Sequence, residues 1–249
     1  MVRKTERDTD AHVRRLWRHR GTTLPTPRRG PRQQLDLDQL LDAGVAIADA
    51  HGLAAVSTRA IAERFGKTAM ALYPYVGSKE QLLALMQDHA AAMPAWEDPG
   101  PSLVDALQAW VSRLFDIYMA HPWLAERPWS QATQGPNEQD WLERLLRILH
   151  RWGVAARARP SAVTMLYATT RATAQTAAGY RRMDQGGVDA WLEQAQATRA
   201  QIPDLAGRYP LSTELEPHSP HWQDSPRAGL ANSVALLAQS LAAPTDRVP

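Results

Sequence analysis

Hydrophobic residues recur every three to four positions along most of the chain, which predicts α-helices and no convincing strand. The clearest stripes lie within 37–48, 103–118, 141–152 and 230–241. Pro, Gly and capping residues separate these stripes at intervals that suit helices of ordinary length. The pattern therefore predicts an all-α protein.

The first third of the chain carries signals for several short helices. Asp36, Ser57 and Ser78 are suitable N-caps. Gly52 and Gly66 are suitable stops. A further short helix is predicted from Thr68 to Tyr73, since Pro74 cannot donate a helical hydrogen bond. Short helices joined at a glycine form a helix-turn-helix arrangement, so we expect such a domain over residues 35–92.

Longer helices are predicted after residue 101. Ser102 and Asn137 are candidate N-caps, and Pro160 and Pro226 are candidate first-turn residues. A further helix is expected over 188–200, whereas 203–225 is rich in Pro and polar residues and is expected to be irregular. Residues 101–243 should thus form a larger helical domain, followed by a tail at 244–249.

Charge is concentrated at the N-terminus, although the whole chain has a formal net charge of only +2. Residues 1–34 have a net charge of +7, and the linker at 22–31 contains three prolines and a glycine. We therefore predict a flexible basic arm, without contact with the core, that engages nucleic acid. Arg28, Arg29 and Arg32 are close enough to the first helix to enter a minor groove. A loose polycation or a solvated tail is the alternative.

The segment from Ser57 to Lys79 reads STRAIAERFGKTAMALYPYVGSK. Small outward residues would let its second helix enter a major groove, and neighbouring hydroxyl, Tyr and Lys groups suit phosphate contacts. Two short helices around a glycine also occur in folds that bind no DNA, so the pattern alone leaves that alternative open.

The stretch from Leu35 to Leu85 resembles the DNA-binding domain of TetR-family transcriptional regulators. The matching elements are IAERFG and ALYPYVGSKEQLL. The fragments MALYPYV and LLALM are similar to those of the actinobacterial branch of the family. A looser match, AHPWLA at 120–125, extends the resemblance into the C-terminal half. The basic arm before the first helix is a layout similar to that of regulators of antibiotic export.

The resemblance implies a homodimer that binds a palindromic operator and releases it when a small molecule enters the C-terminal domain. It assigns contacts with phosphate and bases to the start of the second helix, to the recognition helix and its end, and to one lysine beyond it. The candidate residues are Thr58, Arg59, Thr68, Ala69, Met70, Ala71, Tyr73, Pro74, Tyr75 and Lys79.

Two positions depart from the family pattern. Lys67 stands where a small apolar residue is usual, so it either extends out of the turn or reaches a phosphate. Pro74 stands where a polar or aromatic residue is usual, and it offers only van der Waals contact, for instance with a thymine methyl.

Nine Trp against two Phe indicate a cavity for a large flat or amphipathic ligand, since aromatic side chains dominate such sites. The alternative is that each Trp fills a helix core, because Trp110, Trp141 and Trp152 lie on regular apolar stripes. The candidate ligand-binding residues are Trp110, Met119, Trp123, Trp129, Trp141, Met165 and Tyr167.

A dimer interface is predicted on the last helix and on the helix that begins near residue 161. The last helix has the apolar stripe Leu230, Val234, Leu237 and Leu241, and the other has many alanines. Burial within one chain explains the same patterns.

Several classes of function are excluded or disfavoured. Because the chain contains no cysteine, it has neither disulfides nor thiolate metal sites. Prolines interrupt the acidic and histidine residues at 214–221, and no catalytic motif is apparent, so neither an enzyme nor a metal or other cofactor is expected. No apolar run of membrane-spanning length occurs, and a cytoplasmic location is expected.

Together these observations predict a dimeric repressor that binds double-stranded operator DNA, is released by a hydrophobic small molecule, and controls an export or resistance gene. The alternative is a helical architectural DNA-binding protein whose C-terminal domain only dimerises. Loss of DNA affinity on ligand addition distinguishes the two functions.

Overall fold

The structure is a computed structural model that describes residues 2–21, 35–96, 100–214 and 225–242. Within these ranges the chain forms helices and no strand, so the all-α prediction is confirmed. A smaller N-terminal helical unit is followed by a larger one, with a hydrophobic core in each. No helix of the described residues has the length and apolar character needed to cross a membrane.

Three predicted caps set the start of the principal N-terminal helices. Asp36 accepts hydrogen bonds from the first turn of α2 (Leu37–His51), and Ser57 does the same for α3 (Thr58–Arg64). Ser78 and Gln81 form a reciprocal capping box at the start of α5 (Lys79–Ala90). Each cap satisfies backbone amides that have no partner within the helix, so helix starts were predictable from sequence.

The predicted helix from Thr68 to Tyr73 is wrong in its boundaries. A 3₁₀ turn covers Ala69–Ala71, and the short helix α4 covers Tyr73–Val76. Pro74 lies inside α4 because it occupies the first turn, where no backbone donor is needed. Gly77 ends α4 at φ +73°, a conformation that favours glycine. The segment 68–77 is called the recognition element below.

The prediction of a flexible arm over residues 1–34 is wrong for its first part. Helix α1 covers Val2–Leu16, and Leu16 is buried in the core of the N-terminal domain with Trp17 packed against it. These two apolar residues anchor the segment, and the basic composition around them hid that signal. Arg28, Arg29 and Arg32 lie outside the described residues.

The C-terminal core is built mainly from four helices: α6 (Leu103–Ala120), α8 (Pro136–Arg151), α9 (Arg159–Arg182) and α13 (Ser225–Ala242). The short helix α7 (Pro122–Glu126) packs between α6 and α9. Ser102 caps α6 as predicted. Gly135, not Asn137, is the N-cap of α8, because Pro136 occupies the first helical position.

Three further helices follow α9 at the edge of the domain. They are α10 (Gln185–Gln201), α11 (Leu205–Arg208) and α12 (Pro210–Glu214). The region 203–225 is therefore not wholly irregular as predicted, since two short helices cover part of it. No residue of α10 or α11 is buried.

The apolar stripe of α13 packs into its own chain. Leu230 and Val234 are buried in the C-terminal core, and Leu237 and Leu241 pack against it. The assignment of this stripe to a dimer interface is therefore corrected, since intrachain burial accounts for it. The large apolar residue that α13 exposes is Leu236, with 68% of its surface accessible.

Candidate DNA interface and effector cavity

Helix α3 and the recognition element form the candidate DNA interface. Leu72 and Val76, which are fully buried, fix the recognition element to the core, while Met70 and Tyr73 are 74% and 44% exposed. Exposed residues on a well-anchored short segment are suited to contact with a DNA groove. Arg59 is exposed at the start of α3, and its Nε lies 2.9 Å from the Glu63 carboxylate. To contact a base, the Arg59 guanidinium must break this ion pair or keep Glu63 as a second partner.

The remaining candidate DNA contacts differ in exposure. Thr68, Pro74 and Lys79 are exposed, and Lys79 is the first residue of α5. The half-buried candidates are Thr58, Lys67, Ala69, Ala71 and Tyr75. The backbone amide of Lys67 donates to the Ala62 carbonyl at 3.0 Å, which fixes the turn between α3 and the recognition element. The side chains of Ala69 and Ala71 are small and half-buried, so they offer little surface to DNA. We expect the exposed Met70 and Tyr73 to project furthest.

The C-terminal domain contains a small cavity of about 70 Å³ beside the N-terminal domain. Its apolar wall comes from α6, α7, α8 and α9 and includes Leu114, Ile117, Leu124, Trp141 and Tyr167. Two residues from α5 and its C-cap, Gln87 and Ala91, complete the wall. The cavity thus lies where the two domains meet.

One side of the cavity is polar and tightly hydrogen-bonded. The Gln87 side chain accepts from Arg127 Nε and donates to Glu138 Oε1 at 2.6 Å. Glu138 Oε2 also accepts the backbone amide of Thr133 at 2.6 Å. Burial raises the pKa of both Tyr118 and Tyr167, so these phenols stay protonated at neutral pH. The cavity therefore presents hydrogen-bonding groups as well as an aromatic wall.

Two of the predicted ligand-binding residues, Trp141 and Tyr167, line this cavity. Trp110 lies behind them, with its ring centroid 4.9 Å from that of Tyr167 and 5.6 Å from that of Trp141. Met119 instead lines a separate depression beside Arg227, and Met165 is 52% exposed on α9. The side chain of Trp129 lies outside the described part of the structure.

Trp123 is not a cavity residue but part of the junction between the domains. It packs into the N-terminal core, and its Nε1 donates to Asp49 on α2 at 2.8 Å. His121 Nδ1 lies 2.9 Å from the same carboxylate. The sequence predicts Trp123 as a ligand-binding residue, whereas in the structure it joins α7 to α2.

Sequence reasoning missed the polar lining of the cavity. The missed residues are Gln87, Tyr118, Arg127, Glu138 and Arg171. They come from five separated segments, so no spacing rule connects them. Glu138 could have been noticed only as a first-turn acid of α8.

A second junction joins α5 to the start of α8. The Asp88 carboxylate, which is 3% exposed, accepts the backbone amides of Asn137 and Glu138 at 3.0 and 3.1 Å. Burial raises the pKa of Asp88 to about 6, although these hydrogen bonds act in the opposite direction. Trp141 Nε1 also donates to the Ala91 carbonyl at 2.8 Å. Helix α5 of the N-terminal domain is therefore fixed to the helix that carries Glu138.

Comparison with known proteins decides the family. The sequence profile described as "Bacterial regulatory proteins, tetR family" matches residues 40–86. The HTH-type transcriptional repressor DrrR1 of Streptomyces coeruleorubidus is 34% identical over 201 residues, covering 76% of this chain and 72% of DrrR1. The chain belongs to the TetR family. It is therefore a transcriptional regulator with a helix-turn-helix DNA-binding domain.

Other relatives agree with this assignment. An HTH-type transcriptional regulator of Saccharopolyspora erythraea is 28% identical over 182 residues, or 71% of this chain and 75% of its own length. The Streptomyces coelicolor TetR-family protein ActR, solved in complex with actinorhodin, has the same fold at a TM-score of 0.65. It is 22% identical and covers 82% of this chain and 97% of its own. SCO7222, a TetR from the same organism, gives 0.62 at 22% identity, over 84% of this chain and 98% of its own.

Proposed function

We propose that this TetR-family protein is a repressor that binds a palindromic operator as a homodimer and is released by a hydrophobic aromatic small molecule. The observation that carries the proposal is the composition of the cavity wall. Gln87 lines the cavity but belongs to α5, the last helix of the DNA-binding domain. A ligand in the cavity would thus touch both domains at once.

The size of the cavity supports a coupled movement. Its volume of about 70 Å³ is far below the ~300–1,000 Å³ of typical ligand sites. A drug-sized ligand does not fit this volume, so we infer that the surrounding helices move apart when it binds. Three residues at the C-terminal end of α5 are hydrogen-bonded to α8, namely Gln87, Asp88 and Ala91. Displacement of α8 therefore acts directly on α5. Such a ligand favours a different domain arrangement from the one that fits the operator.

A dimer is supported by the exposed surface of α9. Met165, Ala168 and Ala172 are exposed and recur at helical spacing, so they form an exposed apolar face on α9 that combines one large side chain with two small ones. Exposed Leu236 on α13 adds an apolar residue in the same domain. A face of this kind permits close helix packing between two copies. Two linked half-sites one helical turn apart then read a palindrome together.

The class of effector is proposed from the cavity and from the relatives. Trp141 and Tyr167 provide an aromatic wall, and Gln87, Arg127 and Glu138 provide polar groups at its edge. ActR has been solved with actinorhodin, which supports a polycyclic aromatic effector for this chain also. Control of an export or resistance gene is part of the proposal because the N-terminal layout of the chain resembles that of regulators of antibiotic export.

Operator release tests the proposal. A footprint on DNA upstream of the protein's own gene gives the operator, and fluorescence anisotropy then gives its Kd with and without actinorhodin as the probe. We expect quenching of Trp fluorescence and a rise in Kd of roughly 5–150-fold. Ile117→Trp, which fills the cavity from α6, should bind operator but lose the response, whereas Ala120→Trp, at an exposed position of the same helix, should keep it. If a panel of aromatic probes binds without changing operator affinity, the architectural alternative is favoured.

A further inference from the structure

Residues 15–20, called the N-terminal strap below, contact four separate parts of the protein. Arg15 reaches the recognition element, and Arg18 reaches Asp38 on α2 and His89 on α5. Arg20 reaches Asp140 on α8 of the C-terminal domain. Leu16 is buried between these contacts. The strap therefore runs from the candidate DNA interface to the effector domain.

The recognition element needs a donor at its C-terminal end. Helix α4 has only four residues, and the amide of Gly77 caps the carbonyl of Tyr73 at 2.9 Å. The carbonyls that follow point beyond the helix and cannot find partners within it. Arg15 Nη2 donates to the Pro74 carbonyl at 3.2 Å. A cation at the C-terminus of a helix is also favoured by the helix dipole.

Arg15 is held in this position despite an energetic cost. Its Nη1 is buried and has no hydrogen-bond partner among the described residues. Burial lowers the pKa of Arg15, although the guanidinium remains charged at neutral pH. A partly desolvated cation beside a recognition element indicates a specific role, since an ordinary surface arginine would remain solvated.

The other end of the strap is firmly attached. The Arg18 side chain is 8% exposed, and its Nε and Nη2 both donate to Asp38 Oδ1, the Nε at 2.9 Å. Arg18 Nη1 donates to the Arg15 carbonyl at 2.9 Å, which fixes the strap backbone beside Arg15. Arg20 Nη2 lies 2.5 Å from Asp140, two residues after the cavity residue Glu138.

We propose that the N-terminal strap positions the recognition element for DNA, with Arg15 as the positioning residue and Arg18 and Arg20 as its attachments to the rest of the protein. Arg15 acts through the backbone of Pro74 and makes no contact with DNA itself. This inference rests on the proposed operator binding. Operator affinity then depends on residues that precede the helix-turn-helix domain.

Arg15→Ala tests the positioning role in the full-length protein. We expect operator affinity to fall about fivefold to tenfold, or roughly 1–1.4 kcal/mol, which is the size of an ordinary hydrogen bond because this contact is exposed to solvent. Affinity for non-operator DNA and the slope of log K against log salt should stay unchanged, because no phosphate contact is lost. Arg15→Lys keeps a donor and should recover most of the affinity. Arg14→Ala, which removes the same charge from an exposed neighbouring position on α1, is the matched control and should lose less operator affinity than Arg15→Ala.

Three results would overturn the proposal. Unchanged operator affinity in Arg15→Ala would exclude a positioning role. Equal losses on operator and non-operator DNA, with the salt slope reduced by ~0.9, would show a direct phosphate contact instead. A loss that appears only with a large fall in thermal midpoint would show a general role in folding. Failure of the wild type to bind any operator would contradict the proposed function itself, which is a different outcome.

The attachment to the effector domain has its own test. Arg20→Asp should weaken operator binding by roughly twofold to fivefold, the range expected for one exposed ion pair plus local repulsion. Asp140→Arg should do the same, and the double variant should recover wild-type affinity because the pair is restored with its charges exchanged. Additive losses of affinity in the double variant would show that Arg20 does not attach the strap to the effector domain.

Discussion

Replacing Asp88 with Asn should change the pH dependence of stability. Burial raises the pKa of Asp88 from 3.8 to about 6, so the folded protein binds this proton more tightly than the unfolded chain does. Wild-type stability should therefore fall as pH rises from about 4 to about 6, and the ionised carboxylate then costs about 3 kcal/mol at neutral pH. Asn carries no charge, and its oxygen can still accept from the amides of Asn137 and Glu138.

The exchange also has a cost. Asp88 Oδ2 accepts from the Asn137 side chain at 3.3 Å, and the Asn amide nitrogen cannot replace that bond. A loss of about 1 kcal/mol is typical for such a hydrogen bond. We therefore expect Asp88→Asn to exceed the wild type by about 1–2 kcal/mol above pH 7 and to have about the same stability near pH 4.5.

Urea denaturation of both proteins between pH 4.5 and pH 8 measures this difference. Other carboxylates titrate in the same range, but they are common to both proteins and cancel in the difference. A free-energy difference that does not vary with pH would refute the assignment of a raised pKa to Asp88. A difference that varies with pH as expected, but leaves Asp88→Asn less stable than the wild type throughout, would mean that the amide does not preserve the cap of α8.

Three further predictions concern the domain junction, the DNA interface and the dimer. Gly135→Ala places a Cβ against the Asp88 side chain and should destabilise the protein by ~1–3 kcal/mol in thermal denaturation, whereas Gly207→Ala, which has no neighbour within 4 Å, should be harmless. Arg59→Ala should cost ~1–3 kcal/mol of binding free energy on operator DNA and relax discrimination at one base position. Lys79→Ala should weaken binding to all DNA sequences alike. Equal losses on all DNA from Arg59→Ala would show that Arg59 does not read a base. Leu236→Glu should give folded monomers in analytical ultracentrifugation, because Leu236 is exposed. Leu237→Glu should instead unfold the domain, because Leu237 packs against the core of its own chain. If Leu236→Glu remains a dimer, the interface lies elsewhere.

Local signals predicted the elements of the N-terminal domain well. Asp36, Ser57 and Ser78 cap the helices that they were expected to cap, because a capping side chain acts on amides only two or three residues away. Besides the unpredicted helix α1, the exception was Pro74, whose effect depends on its position within the helix. Sequence pattern alone cannot say which turn a proline occupies when helix boundaries are uncertain by a few residues.

Tertiary contacts were less predictable from the sequence. A stripe of apolar residues shows that a helix face is covered, but Leu230 and Val234 could equally have faced a second copy. Trp110 and Trp123 likewise carried no sign of whether they faced a cavity, a core or a domain junction. The anchoring of α1 by Leu16 was missed because two apolar residues among many arginines do not form a stripe.

The central claim is that the cavity and the operator are coupled, and a thermodynamic cycle tests it most directly. Trp fluorescence titration gives the Kd of actinorhodin for the free protein and for the protein saturated with operator. Anisotropy gives the Kd of operator with and without saturating actinorhodin. We predict that each ligand weakens the binding of the other by the same factor, between about 5 and 150, and that Ile117→Trp abolishes this coupling. A probe that binds the wild type with the same Kd in the presence and absence of operator would contradict it.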